Sequence, residues 1–239
     1  MQSLKVKFIS NIIIIVVILS VFLVGFLPQK SITISSGDSY SAIYRGDVNS
    51  NSVALMFNVY ENSEIVSDII SVLKKYNALA TFFVGGCYAD DNPKMLKEIL
   101  DNGFELGNHG YFHKDHKKLS EEENYNEINN CHKIVYGMTG CSMNLFAPPS
   151  GSFSKNTLKA TKSLNYYTIM WSKDTIDWRD KSVDLIVKRA TEKTASGDLI
   201  LMHPKKHTLE ALPKIIEKLQ SKKLNLVTVS TCVFGVDKL

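Results

Sequence analysis

The chain has 239 residues, a formal net charge of +4 and 44% hydrophobic residues. That length suits one sizeable α/β domain with a short appendage. The lysines are dispersed among acids, so no clustered basic stripe marks a nucleic-acid footprint, and no repeat of solenoid spacing recurs.

Residues 1–7 carry Lys5 and Lys7. Phe8 to Leu27 follows as an almost unbroken apolar run, matching the roughly 20 residues a helix needs to cross a bilayer. The two lysines ahead of it, with only Lys30 close behind, place the N-terminus in the cytoplasm and the remainder outside. Gly25-Phe26-Leu27-Pro28 is a poor signal-peptidase site, so residues 8–27 read as an uncleaved transmembrane signal-anchor, with a cleaved signal peptide as the rival reading. The expectation is a single-pass protein of the cell membrane with an extracytoplasmic domain. Residues 28–50 are rich in Ser, Gly and Asp and read as a linker with one short strand at Ser31–Ile34.

The domain spans residues 51–239. Strand-like runs at Val53–Phe57, Ala80–Val84, Phe104–Leu106, Asn144–Phe146, Tyr167–Trp171, Leu199–Met202 and Leu224–Val229 alternate with helical segments. Those helices are expected at Glu64–Tyr76, Pro93–Asp101, Ser120–Tyr136, Ser154–Leu164, Ser182–Thr194 and Leu209–Leu219. Ile65, Ile69, Val72 and Leu73 keep helical spacing, proline opens the second helix, and Ser120 with Glu123 forms a capping box for the third. Such alternation implies parallel strands covered by helices, and about seven strands suggest a distorted (β/α) barrel. Function in that architecture gathers at the carboxyl ends of strands. Asn58, His109, Ala147, the Trp171–Trp178 segment and His203 each follow a strand directly, so they are expected at one rim.

His109 and His113 have the spacing that lets two imidazoles share a metal, although a solvated surface pair has the same spacing. His203 ends a fully apolar run, where a lone histidine is more often a satisfied rim residue. Asp177 could accept its ring N–H, fix its tautomer and make it a general acid. Three residues could stand in as further ligands: Glu61, Asp174 and His116. The plainer reading of Glu61 and Asp174 is a solvated or capping role. His132 and His207 read as surface residues, and Tyr166-Tyr167 as barrel wall. The cysteines, Cys87, Cys131, Cys141 and Cys232, lack CxxC spacing; they permit disulfides outside the membrane but serve equally as idle thiols.

Taken in order, five segments resemble the motifs of the polysaccharide deacetylases of the NodB-homology type, carbohydrate esterase family four. They are Leu55-Met-Phe-Asn58-Val59, Asn108-His109-Gly-Tyr-Phe-His113, Phe146-Ala147-Pro148-Pro149-Ser150-Gly151, Trp171-Ser-Lys-Asp174-Thr-Ile-Asp177-Trp178 and Leu201-Met202-His203-Pro204. The resemblance covers residues 52–232, and the Met-His-Pro ending is most similar to the sporulation-associated bacterial branch. It implies a hydrolase that removes N-acetyl groups from cell-wall glycans of N-acetylglucosamine or N-acetylmuramic acid. It further implies one divalent ion, usually Zn2+, held by His109, His113 and a carboxylate. His203 becomes the acid oriented by Asp177, and Trp178, Leu201 and Pro149 become substrate-binding residues. The carried-over base position is Asn58, the metal carboxylate is Val59 and the motif-three arginine is Ala147. In the family that arginine pairs with the base carboxylate, so loss of one makes loss of the other coherent: an unpaired buried guanidinium costs about 3–5 kcal/mol. The competing expectation is a catalytically inactive relative that binds glycan or a partner in the same groove. A two-carboxylate glycosidase is disfavoured, because Asp174 and Asp177 share one loop.

Overall fold

The computed structural model describes residues 41–235. The apolar run at 8–27 and the strand expected at Ser31–Ile34 lie outside them. Among the described residues, no helix is long and apolar enough to cross a membrane.

The strands are β1 (Ser52–Val59), β2 (Ala80–Val84), β3 (Glu105–Asn108), β4 (Leu145–Phe146), β5 (Tyr167–Thr168), β6 (Lys173–Asp174), β7 (Leu199–Met202) and β8 (Asn225–Val227). Seven of them form one path in the order β5-β4-β3-β2-β1-β7-β6, and β8 pairs the first residues of β1. All these pairings are parallel. The helices are α1 (Ser63–Lys75), α2 (Gly86–Asp91), α3 (Pro93–Asp101), α4 (Glu121–Thr139), α5 (Lys155–Ser163), α6 (Val183–Thr191), α7 (Lys206–Ser221) and α8 (Val229–Phe234). The capping box forms as the sequence predicts: the Glu123 N–H donates to Ser120 Oγ at 3.1 Å and the Ser120 N–H to Glu123 Oε2 at 2.8 Å.

The sheet is a half-barrel, which corrects the expected barrel. Its outer strands β5 and β6 follow one another in the chain but do not pair among the described residues. Residue 43 runs along that open edge instead. The Ile43 N–H donates to the Thr168 carbonyl at 2.8 Å, and the Met170 N–H donates to the Ile43 carbonyl at 2.8 Å. Arg45 Nη2 then pairs with the buried Asp198 at 2.8 Å. Ile43 and Arg45, inside the segment read as linker, therefore pack onto the domain.

Strands covered on both sides read as continuous apolar runs, and β1 is buried from end to end. Its residues still alternate between two environments, because successive side chains leave a strand on opposite faces. Val53, Leu55, Phe57 and Val59 pack outward with the helices. Ala54 and Met56 pack inward with Leu145, Ala147, Ile169, Leu199 and Leu201. Asn58 continues the inward set at the carboxyl end of the strand. All four cysteines are free thiols.

Candidate active site

Parallel strands deliver their carboxyl ends to one side, and there a cavity of about 480 Å³ opens. Asn58, His109, His113, Trp178, Leu201 and His203 all line it. The backbone ladder continues past the strand ends: the His109 N–H donates to the Val84 carbonyl at 3.0 Å and the Ala147 N–H to the Asn108 carbonyl at 2.9 Å. Those bonds fix where His109 starts.

His109 Nδ1 lies 2.7 Å from the Ala147 carbonyl. A carbonyl only accepts, so Nδ1 carries the proton and Nε2 is left as a lone pair. Burial and the neighbouring His113 push the His109 imidazole down to about 3, so it is neutral at physiological pH. The His113 ring stands 5.2 Å away at 74°, its other side against the Tyr60 ring at 5.2 Å. The loop between the two histidines is held from below. Both the Tyr111 and Phe112 N–H groups donate to Glu127 Oε2, at 3.1 and 2.8 Å, and the Gly110 N–H donates to Asn108 Oδ1 at 2.9 Å. Gly110 and His113 both adopt positive φ.

On the opposite wall His203 Nδ1 meets Asp177 Oδ1 at 2.7 Å, and the His203 backbone N–H donates to Asp177 Oδ2 at 2.7 Å. Thr208 donates its hydroxyl to the same Oδ2 at 2.6 Å, and His207 Nε2 donates to the Asp177 carbonyl at 2.7 Å. Burial alone would raise the Asp177 carboxyl, but the hydrogen bonds from His203 and Thr208 outweigh it and hold the group below its usual range. His203 thereby presents Nε2 to the cavity. The loop carrying Asp177 is constrained: Ile176 sits at φ +55°, an unfavourable conformation for a β-branched residue. Its N–H donates to Asp174 Oδ1 at 2.7 Å, and Arg189 Nη1 donates to the Thr175 carbonyl at 3.0 Å.

Other expectations fall elsewhere. Pro149 is buried behind the wall, near Gly110, and its neighbour Ser150 reaches the cavity instead. Val59 belongs to the outward core and cannot face a ligand. His116 does not line the cavity; its Nδ1 bonds Asn124 Oδ1 at 2.7 Å and its ring packs on Phe146. His207 and His132 are not idle surface residues, since His132 Nδ1 lies 2.6 Å from the Tyr166 hydroxyl. Sequence reasoning overlooked Tyr60, Ser150 and Lys205, which also line the cavity. Their loops follow strand ends, and that position was the one available signal.

His109 and His113 suit a divalent ion as two neutral donors, but the carboxylate of a His-His-carboxylate set is absent. Among the described residues, no group of three or more His, Cys, Asp or Glu side chains is arranged to hold a metal. Glu61 is engaged by Lys205 Nζ and Asp174 by the Ile176 N–H. Asn58 is 6% exposed, and its Oδ1 has no hydrogen-bond partner among the described residues.

The sequence profile described as polysaccharide deacetylase matches residues 45–169. The chain belongs to the polysaccharide deacetylase family. It is 33% identical over 197 residues to a peptidoglycan-N-acetylglucosamine deacetylase of Bacillus cereus, covering 80% of this chain and 72% of that protein. It is also 33% identical to the Bacillus subtilis protein YlxY over 79% of this chain, but spans only 59% of YlxY. The crystal structure of a family-four pseudoenzyme from Bacillus anthracis is similar with a TM-score of 0.80 and 34% identity, over 82% of this chain and 70% of that one.

Proposed function

We propose that this family member binds N-acetylated cell-wall glycan in the cavity and hydrolyses its acetamide groups. The observation that carries the reading is the His203–Asp177 pair at 2.7 Å, opposite two neutral imidazoles in one cavity. Asp177 keeps the proton on His203 Nδ1, so Nε2 is the atom that takes up the attacking water's proton and then hands it to the departing amine as the carbon–nitrogen bond breaks. Trp178, 57% exposed at the mouth, offers a face for a sugar ring, and Leu201 walls the acetyl group. Asn58 can hydrogen-bond an attacking water but cannot take its proton, and the loss of a separate general base slows such a reaction by about 10²–10⁴-fold. A divalent ion, zinc first, would be held by His109 and His113 and would polarise the acetyl carbonyl.

The second reading is a glycan-binding protein without turnover. Asn58, the missing carboxylate and the likeness to a pseudoenzyme favour it. Acetate release from N-acetylglucosamine oligomers, measured with the full-length protein and added zinc, separates the two. The first reading expects slow release that His203→Ala abolishes. Retention of the oligomers with no acetate above the His203→Ala background establishes the second.

The same proposal places the domain outside the cell membrane, tethered by residues 8–27. Protease accessibility of the domain in intact cells, with the protein resisting alkaline extraction from membranes, is the expected result. A domain protected until the cells are broken would overturn it.

A further inference from the structure

Glu127 lies on α4 and is 4% exposed. A carboxylate so placed is costly to desolvate unless it is matched. Both its oxygens are matched by one short stretch of chain, the one that links the two cavity histidines. Oε2 accepts the Tyr111 and Phe112 N–H groups at 3.1 and 2.8 Å, and Oε1 meets Lys114 Nζ at 3.0 Å. Residues 112 and 114 flank His113. The carbonyls of the same stretch are taken by other elements. The Gly110 carbonyl accepts from the Gly86 N–H at 2.9 Å, and the Tyr111 carbonyl from the Cys87 N–H at 3.1 Å and the Tyr60 hydroxyl at 3.0 Å.

Ile128, Cys131 and Val135 already pack α4 into the core with apolar side chains, so packing alone does not call for a carboxylate at 127. The loop does. His113 stands at φ +54°, a conformation disfavoured for a residue with a Cβ, which persists only where surrounding contacts over-determine it. Here those contacts are the bonds from Glu127 to the residues on either side. His109 is fixed independently, through its own N–H and the Ala147 carbonyl, so the place of His113 relative to it follows from the loop. We infer that Glu127 is a positioning residue for the imidazole pair: it holds the His113 ring 5.2 Å from the His109 ring, so that a divalent cation is received without reorganising the loop. The inference deepens the functional reading above and rests on its assignment of His109 and His113 to an ion.

The experiment uses full-length protein in detergent with ring-labelled histidine. In chelator, wild type is expected to show a nuclear Overhauser contact between the His109 and His113 rings, and slow hydrogen exchange of the Tyr111 and Phe112 amides. Glu127→Leu keeps a bulky side chain but removes the acceptors. It should lose both signals and bind cobalt(II) about 10–100-fold more weakly, the range typical for loss of an outer-shell partner. Glu127→Gln still offers one acceptor oxygen to the two N–H groups, and should recover the ring contact and most of the affinity. A Glu127→Leu variant with an unchanged near-ultraviolet circular dichroism spectrum, the wild-type ring contact and the wild-type cobalt(II) affinity overturns the inference. So does a Glu127→Gln variant no better than Glu127→Leu. Should Glu127→Leu fail to fold, wild type in chelator decides: fast exchange of the two amides, or absence of the ring contact, overturns the inference. If wild type shows the ring contact but takes up no cobalt(II), the metal reading of the site falls and the positioning stands.

Discussion

The family resemblance gives Asn58 the slot of a proton-accepting carboxylate and Ala147 the slot of the arginine that would pair with it. Both are at most 6% exposed. Restoring one charge alone leaves it buried and unpaired, which is strongly destabilising. Asn58→Asp with Ala147→Arg is therefore expected to raise the acetate-release rate by about 10²-fold or more, and Asn58→Asp alone to gain less and to unfold at lower urea. A double variant no faster than wild type would show that the base is not what limits the site. His109, His203 and Asp177 were legible in the sequence because each sits next to a strand end or on a short loop whose direction the fold dictates. Tyr60 and Lys205 were not, because their approach to the cavity depends on loop conformations such as the positive φ of Asn62. Val59 shows how far motif alignment reaches: the slot is adjacent to Asn58, yet strand alternation turns it to the outer core.

The first turn of α7 acts on the site through Asp177. Thr208 is fully buried, and its hydroxyl bonds Asp177 Oδ2 at 2.6 Å. Hydrogen bonds to charged groups contribute about 1.5–3 kcal/mol, so Thr208→Val is expected to cost that much in denaturant unfolding, and Thr208→Ser to recover most of it. The variant should also weaken the downfield proton signal of His203 Nδ1–H bonded to Asp177. An unchanged signal and an unchanged unfolding midpoint would refute the bracing role. Long periodic elements such as α1 and α4 were readable from their apolar spacing and caps. The short ones were not: α2, β6 and α8 span too few residues to show a period. The segment at Leu224–Val229 accordingly reads as one strand, whereas the structure ends β8 at Val227 and starts α8 two residues later.

At the scale of the molecule, strand count and alternation pointed to parallel strands but could not distinguish a closed barrel from a half-barrel. That choice is made by the β5–β6 edge and the bonds of Ile43 along it. The buried histidines beneath the cavity carry a consequence for the whole fold. His109 is held down to about 3 by burial and by its neighbour His113. His116 is also lowered, by burial first, and its Nε2 has no partner among the described residues. His113 moves the same way but lies exposed on the cavity wall, where solvent screens the effect. In the unfolded chain these rings titrate near about 6.5. Below that pH the unfolded state binds more protons than the fold, so stability is complete above about 6.5 and falls as the solution is acidified toward the folded values. Each buried ring contributes a slope of up to about 1.4 kcal/mol per pH unit. Asp177 adds to the loss only at lower pH, since its depressed carboxyl protects the fold until pH drops below the unfolded aspartate value of about 3.9. Urea unfolding in chelator should therefore be flat from pH 8 to 7 and decline steadily from pH 6.5 to 5, before any carboxylate contributes. His116→Leu should flatten that decline. A wild-type curve that stays level down to pH 5 would mean that these imidazoles accept protons inside the fold as readily as outside it.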